Sequence, residues 1–239
     1  MEIRWLGHSA FEIISDDNVK ILIDPFISNN PVCEVPVEEL NPDIILLTHG
    51  HSDHFGDALE ISNSTNAPIA CVHEISLFLA KQGIRNISVN IGGSFIFRNI
   101  KFTMLEAKHS SDIDIVDETV PGGVAASFLI TFEDGTSIFH AGDTGLFSDM
   151  KDIIGAIYKP DVVMVPIGDK FTMGPFEAAL ATMWLNPKVV IPMHYNTFPP
   201  IEQDPAIFAN FVSQFNPNID VVVMNPDEYF EFNPEDYQG

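Results

Sequence analysis

The chain has 239 residues, of which 46% are hydrophobic, and carries 34 acidic against 11 basic side chains for a formal net charge of −23 at pH 7. That length suits one α/β domain, 1–239, with a sizeable core, and without a run of 18 apolar residues no transmembrane helix or membrane partner is expected. Nucleic-acid binding draws most of its affinity from Lys and Arg on phosphates; with only Arg4, Arg85 and Arg98 as arginines, no nucleic-acid partner is expected.

In chain order, residues 2–6, 10–15 and 20–23 read as short strands, the last two joined by the turn Asp16-Asp17-Asn18. Residues 43–47 read as a buried strand, followed by helical patterns near 56–64 and 74–82. Strands are expected near 87–90, 94–97 and 100–106, then a hairpin of 124–132 and 136–140 around Glu133-Asp134-Gly135. A helix near 147–158 stops before Pro160, and 161–165 is a further buried strand. A helix near 174–186 has Pro175 in its first turn, a favoured place. The strand 189–191, a helix near 205–215 and strands near 219–223 and 228–232 close the chain. Strand-rich stretches in both halves, alternating with helices, predict two sheets packed face to face with helices outside. No linker or low-complexity segment interrupts them.

The most informative segment is Thr48-His49-Gly50-His51-Ser52-Asp53-His54, directly after the strand 43–47. Neutral imidazole is the commonest metal ligand. Spacing by two in extended chain puts His49 and His51 on one side, while Asp53 and His54 follow as the chain turns toward a second ion. Paired ions in such sites lie roughly 3.5–4 Å apart. Three His and one Asp in six residues, from a total of eight His, are hard to explain by packing.

The H-x-H-x-D-H pattern after a hydrophobic strand resembles the signature of the metallo-β-lactamase superfamily. The likeness runs from Met1–Phe11 through Ile21–Pro25 to Phe139–Gly145 and Val190–Asn196. The G-H-S and G-D-T segments most resemble the branch holding ascorbate-6-phosphate lactonase-like proteins and related metal-dependent hydrolases. The resemblance implies a four-layer αββα sandwich. It also implies His49, His51 and His109 on one metal, Asp53, His54 and His194 on a second, and Asp143 bridging them. These all-nitrogen-and-oxygen ligands suit Zn most simply, with Mn, Fe, Co or Ni as alternatives.

His8, between two short strands in Gly7-His8-Ser9, is a further catalytic candidate as substrate contact or proton carrier, with an orienting loop residue as the bland alternative. Asp24 and His140 are candidates for orienting the ligands, whereas His73 reads as a surface or cap residue. Lys170, in the Gly-rich turn 166–175 before a helix, and Lys108, beside His109, are candidate contacts for an anionic substrate. The acidic loop 110–123 could form a lid or be plain surface.

Two divalent ions lower the pKa of a bridging water, so the expected reaction is hydrolysis by a metal-bridging hydroxide. By the same resemblance Asp143 would hold the bridge and Asp53 would help orient the nucleophile. The leading substrate is a small anionic metabolite, a lactone or ester, with a phosphodiester as the alternative. A redox flavo-diiron reading fails because that group carries Glu where His51 stands and adds a flavin domain. A non-catalytic metal-binding module would predict a missing ligand, and none is missing. The absence of a basic leader and apolar segment predicts a cytoplasmic protein. Cys33 and Cys71 suggest no disulfide framework. The branch often forms homo-oligomers, but no interface is legible here.

Overall fold

The computed structural model describes residues 1–114 and 119–237. The chain begins with β1 (Glu2–Gly7), β2 (Ala10–Ile14), β3 (Lys20–Ile23), β4 (Ile44–Leu46), α1 (Ser52–Phe55), α2 (Ala58–Thr65), β5 (Ile69–Val72), α3 (His73–Lys81) and β6 (Asn86–Val89). Next come β7 (Ser94–Phe97), β8 (Ile100–Glu106), the short pair β9 (Asp112–Ile113) and β10 (Val120–Pro121), β11 (Ala126–Thr131) and β12 (Ser137–His140). A π-helix (Met150–Tyr158) precedes β13 (Val162–Pro166), α4 (Pro175–Leu185), β14 (Val189–Met193), α5 (Pro205–Phe215), β15 (Asp220–Val221) and β16 (Tyr229–Glu231). Two compact units emerge: Met1–Gly93 with Ser110–Ala126 and Met224–Phe232, and Ser94–His109 with Ser127–Val223 and Asn233–Gly239.

The first unit is built on a seven-stranded sheet in the order β16-β1-β2-β3-β4-β5-β6. Its β16–β3 side is antiparallel and its β3–β6 side parallel. Every residue of β4 and β5 is buried, as expected of parallel strands covered on both faces, which read as apolar runs without alternation. Ile75, Ser76 and Leu79 recur at helical spacing and are the buried residues of α3, which packs on β5 and β6.

The second unit holds a seven-stranded sheet in the order β15-β14-β13-β12-β11-β8-β7, parallel from β12 to β15. α4 packs on β13, α5 and the π-helix, which explains why it is apolar on most of its surface. Gly174 is its N-cap and Pro175 its first residue, where a missing N–H is harmless. The helix expected over 147–158 is the π-helix of 150–158, a rare form whose width apolar spacing does not reveal. Its Gly155 meets α4 so closely that a Cβ would lie 2.2 Å from the Trp184 carbonyl oxygen.

In both sheets, loops rich in His and Asp leave the carboxyl ends of strands, where open α/β sheets carry their sites. Asp24 directly follows β3, Thr48 stands two residues beyond β4, and His194 directly follows β14. Of the 110–123 loop, residues 115–118 lie outside the described part. Among the described residues no helix is long and apolar enough to cross a membrane.

Candidate metal centre

In the first unit the turn after His51 is a single helical turn, α1, with His51 as its N-cap. Gly56 ends it at φ +42°, and a Cβ there would lie 2.2 Å from the Pro25 carbonyl oxygen. That contact, with the hydrogen bond from Asp57 N–H to Pro25 O at 2.9 Å, ties the motif's end to the segment after β3.

Asp24 is fully buried and organises the motif from below. Its Oδ1 accepts from the Thr48 N–H at 2.8 Å, and its Oδ2 accepts from the Thr48 hydroxyl at 2.6 Å. The same Oδ2 stands 2.8 Å from His54 Nδ1. Thr48 Oγ1 in turn lies 2.9 Å from His49 Nδ1. His49 Nε2 faces His51 Nδ1 at 3.0 Å. His51 Nε2 lies 3.3 Å from the Ser110 hydroxyl.

The buried His8 backs onto this cluster. Its Nε2 is 3.2 Å from Asp53 Oδ2, its ring centroid is 5.4 Å from that of His54, and its carbonyl accepts from Trp5 Nε1 at 3.0 Å. His8 therefore meets a motif carboxylate directly.

The second unit contributes its own arrangement. Asp143 is buried, with Oδ2 2.9 Å from His194 Nε2 and 3.7 Å from His109 Nε2. The loop after β8 is clamped to the turn around Asp143, since Thr144 Oγ1 accepts from Lys108 N–H at 2.9 Å and Lys108 O accepts from Gly145 N–H at 3.2 Å. His140 Nδ1 accepts from the Gly142 N–H at 3.2 Å, so this candidate orienting residue shapes the turn that presents Asp143. Gly168, beyond β13, presses on His194: a Cβ would lie 2.4 Å from the His194 carbonyl oxygen and 3.2 Å from its Nδ1. Tyr195 is buried beside His194, and burial pushes its hydroxyl up to about 12, so it stays protonated at neutral pH.

The donor set fits a metal. Two Zn–N bonds of about 2.0–2.1 Å at a tetrahedral angle hold their nitrogens about 3.3 Å apart, close to the 3.0 Å between the His49 and His51 nitrogens. Buried imidazoles gathered around carboxylates are what a hard-to-borderline divalent cation requires. The remaining candidates have other surroundings. Lys108 is exposed and ion-paired with Glu106. Lys170 lies over the Phe171 ring at 5.3 Å, in a turn whose amides at 169 and 170 already donate to Met173 O and Gly168 O. His73 opens α3 at the surface, 3.1 Å from the Ser88 hydroxyl. Sequence reasoning quoted Thr48 within the motif and Gly168 within a candidate anion-binding turn but gave neither the role seen here, since those roles depend on Asp24 and His194, distant in the chain.

The β-lactamase superfamily domain matches residues 2–194. The chain belongs to the metallo-β-lactamase superfamily. A metal-dependent hydrolase of Methanobrevibacter smithii is 76% identical across the full length of both chains. One from Methanosphaera stadtmanae is 53% identical, covering 97% of this chain and all of that one. Among solved structures, Igni18, a metallohydrolase from the archaeon Ignicoccus hospitalis, superposes with a TM-score of 0.86 at 41% identity, covering 97% of this chain and 99% of that one. This superfamily member is therefore a metal-dependent hydrolase with the expected α/β fold, bearing two mixed sheets and their helices.

Proposed function

We propose that the protein is a binuclear hydrolase of a small anionic metabolite, a lactone or ester. The observation that carries this reading is the chain of contacts from buried Asp24, Thr48 and His49 to half-buried His51, ending in two ring nitrogens 3.0 Å apart. In this reading His49, His51 and His109 hold one divalent ion, Asp53, His54 and His194 hold the other, and Asp143 serves both. Two such ions, zinc being the simplest fit, would supply the activation of a bound water and the polarisation of the bond to be broken. The protein's part is placement: Asp24 and Thr48 fix the rings of the motif, and Gly168 fixes the backbone of His194. His8, hydrogen-bonded to Asp53, is placed to steady that carboxylate and to pass a proton along it. The single domain, the two-ion count and the cytoplasmic location belong to the same proposal.

The test is hydrolysis by zinc- and manganese-loaded protein, with sugar lactones with and without a phosphate in one arm and an aryl phosphodiester in the other. Lactone turnover is expected, abolished in folded His51→Ala and Asp53→Ala. Preference for the diester would move the protein to the phosphodiesterases. Full turnover in both variants would overturn the metal-centred mechanism.

A further inference from the structure

The contacts around Asp24 carry a consequence for how the two ions bind, and it rests on the ligand assignment proposed above. A threonine hydroxyl has one hydrogen and two lone pairs. At 2.6 Å that hydrogen goes to the acceptor-only carboxylate of Asp24. Thr48 Oγ1 can then meet His49 Nδ1, 2.9 Å away, only as an acceptor, so the ring proton of His49 sits on Nδ1. The same argument applies to His54, whose Nδ1 stands 2.8 Å from Asp24 Oδ2. One buried carboxylate oxygen thus sets the tautomer of both rings, of His54 directly and of His49 through one hydroxyl. In each, Nε2 is left as the lone-pair nitrogen, the form a metal needs.

We propose that Asp24 and Thr48 form a relay that couples the two metal subsites, with His49 serving one ion and His54 the other. Asp24 and Thr48 are positioning residues, since neither needs to touch an ion. Outer partners of this kind typically govern ten- to hundredfold in metal affinity. A shared partner spreads that effect over both ions, whereas separate partners would confine it to one. Thr48 divides the relay: its hydroxyl is the link from Asp24 to His49, while its backbone N–H keeps Asp24 Oδ1 in place and His54 meets Asp24 Oδ2 directly.

The experiment reads imidazole tautomers by nitrogen-15 NMR of the metal-free protein, then zinc affinities by competition with a chromophoric chelator. Wild type is expected to carry Nδ1–H on both His49 and His54. Thr48→Val, which keeps the shape and the backbone bond, is expected to lose the His49 preference alone and to weaken one zinc about ten- to hundredfold. Thr48→Ser restores both readings, and Asp24→Asn weakens both ions together. A proton on Nε2 of His49 in wild type overturns the relay, as does an unchanged His49 tautomer in Thr48→Val. Weakening of a single ion in Asp24→Asn overturns the coupling. The tautomers are read without metal or substrate, so a protein that hydrolyses nothing in the panel would sink the proposed function and leave the relay standing.

Discussion

Gly168→Ala tests whether the centre depends on steric control of His194. An ideal Cβ at 168 falls 2.4 Å from the His194 carbonyl oxygen, against an ordinary contact of 3.4 Å or more, so the shortfall is about 1 Å. The clash is with backbone, so no rotamer change at His194 relieves it. The Ile201 Cβ, 3.1 Å away, restricts movement of the new methyl. Overpacking of this kind costs about 1–3 kcal/mol of stability, and a ligand displaced by about 1 Å loses on the order of a hundredfold in rate. Gly145→Ala is the control, because its Cβ meets nothing within 4 Å although it flanks the turn of Asp143. Zinc competition titrations and turnover on the same preparations provide the assay. Gly168→Ala should bind zinc more weakly and turn over on the order of a hundredfold more slowly, while Gly145→Ala stays near wild type. Wild-type zinc affinity in Gly168→Ala would refute the reasoning.

Two further outcomes follow from packing and ionisation. Gly56→Ala places a Cβ 2.2 Å from Pro25 O at φ +42° and should destabilise the fold by about 3 kcal/mol or more, seen as a lower urea midpoint; an unmoved midpoint would contradict the close packing of the motif on residues 25–26. Tyr195, raised from 10.0 to about 12 by burial, contributes stability that is fully present below pH 10. That contribution falls away as the pH rises through 12, because the unfolded chain ionises first. The loss should approach about 3 kcal/mol, and Tyr195→Phe should remove that part of the alkaline decline in unfolding free energy.

The metal motif was legible because four of its residues fall within six positions and follow an apolar strand, so composition and spacing act together within a dozen residues. Much of the strand order was legible for the same reason: β4 and β13 are buried throughout and read as plain apolar runs, whereas the equally buried β5, only four residues long between two helices, was not among the expected strands. What escaped depends on chain-distant approach. Asp24 could be singled out at a strand end, but its hold on Thr48 spans 24 residues. Gly168 read as part of an anion-binding turn, and its closeness to His194 follows from the parallel pairing of β13 with β14. The π-helix was invisible because its apolar spacing also fits an α-helix.

Backbone strain shows why these residue types stand where they do. His8, Asp24 and His194 all adopt left-handed conformations, with φ of 55°, 45° and 56°. For a non-glycine residue that conformation costs about 1–2 kcal/mol, and it persists only where the surroundings over-determine it. Here they do: Trp5 holds the His8 carbonyl, and Asp24 N–H donates to Leu46 O at 3.0 Å. Gly168 leaves no slack behind His194. Glycine would relieve the strain at all three positions and remove the functional group with it. Asn, Asp and His are the non-glycine residues most often found in left-handed backbone, and two of those three types are also prime metal ligands. A single residue at such a strand end can therefore turn the chain and present a ligand or orienting group, whereas Glu or Cys there could supply a ligand only at a higher conformational cost.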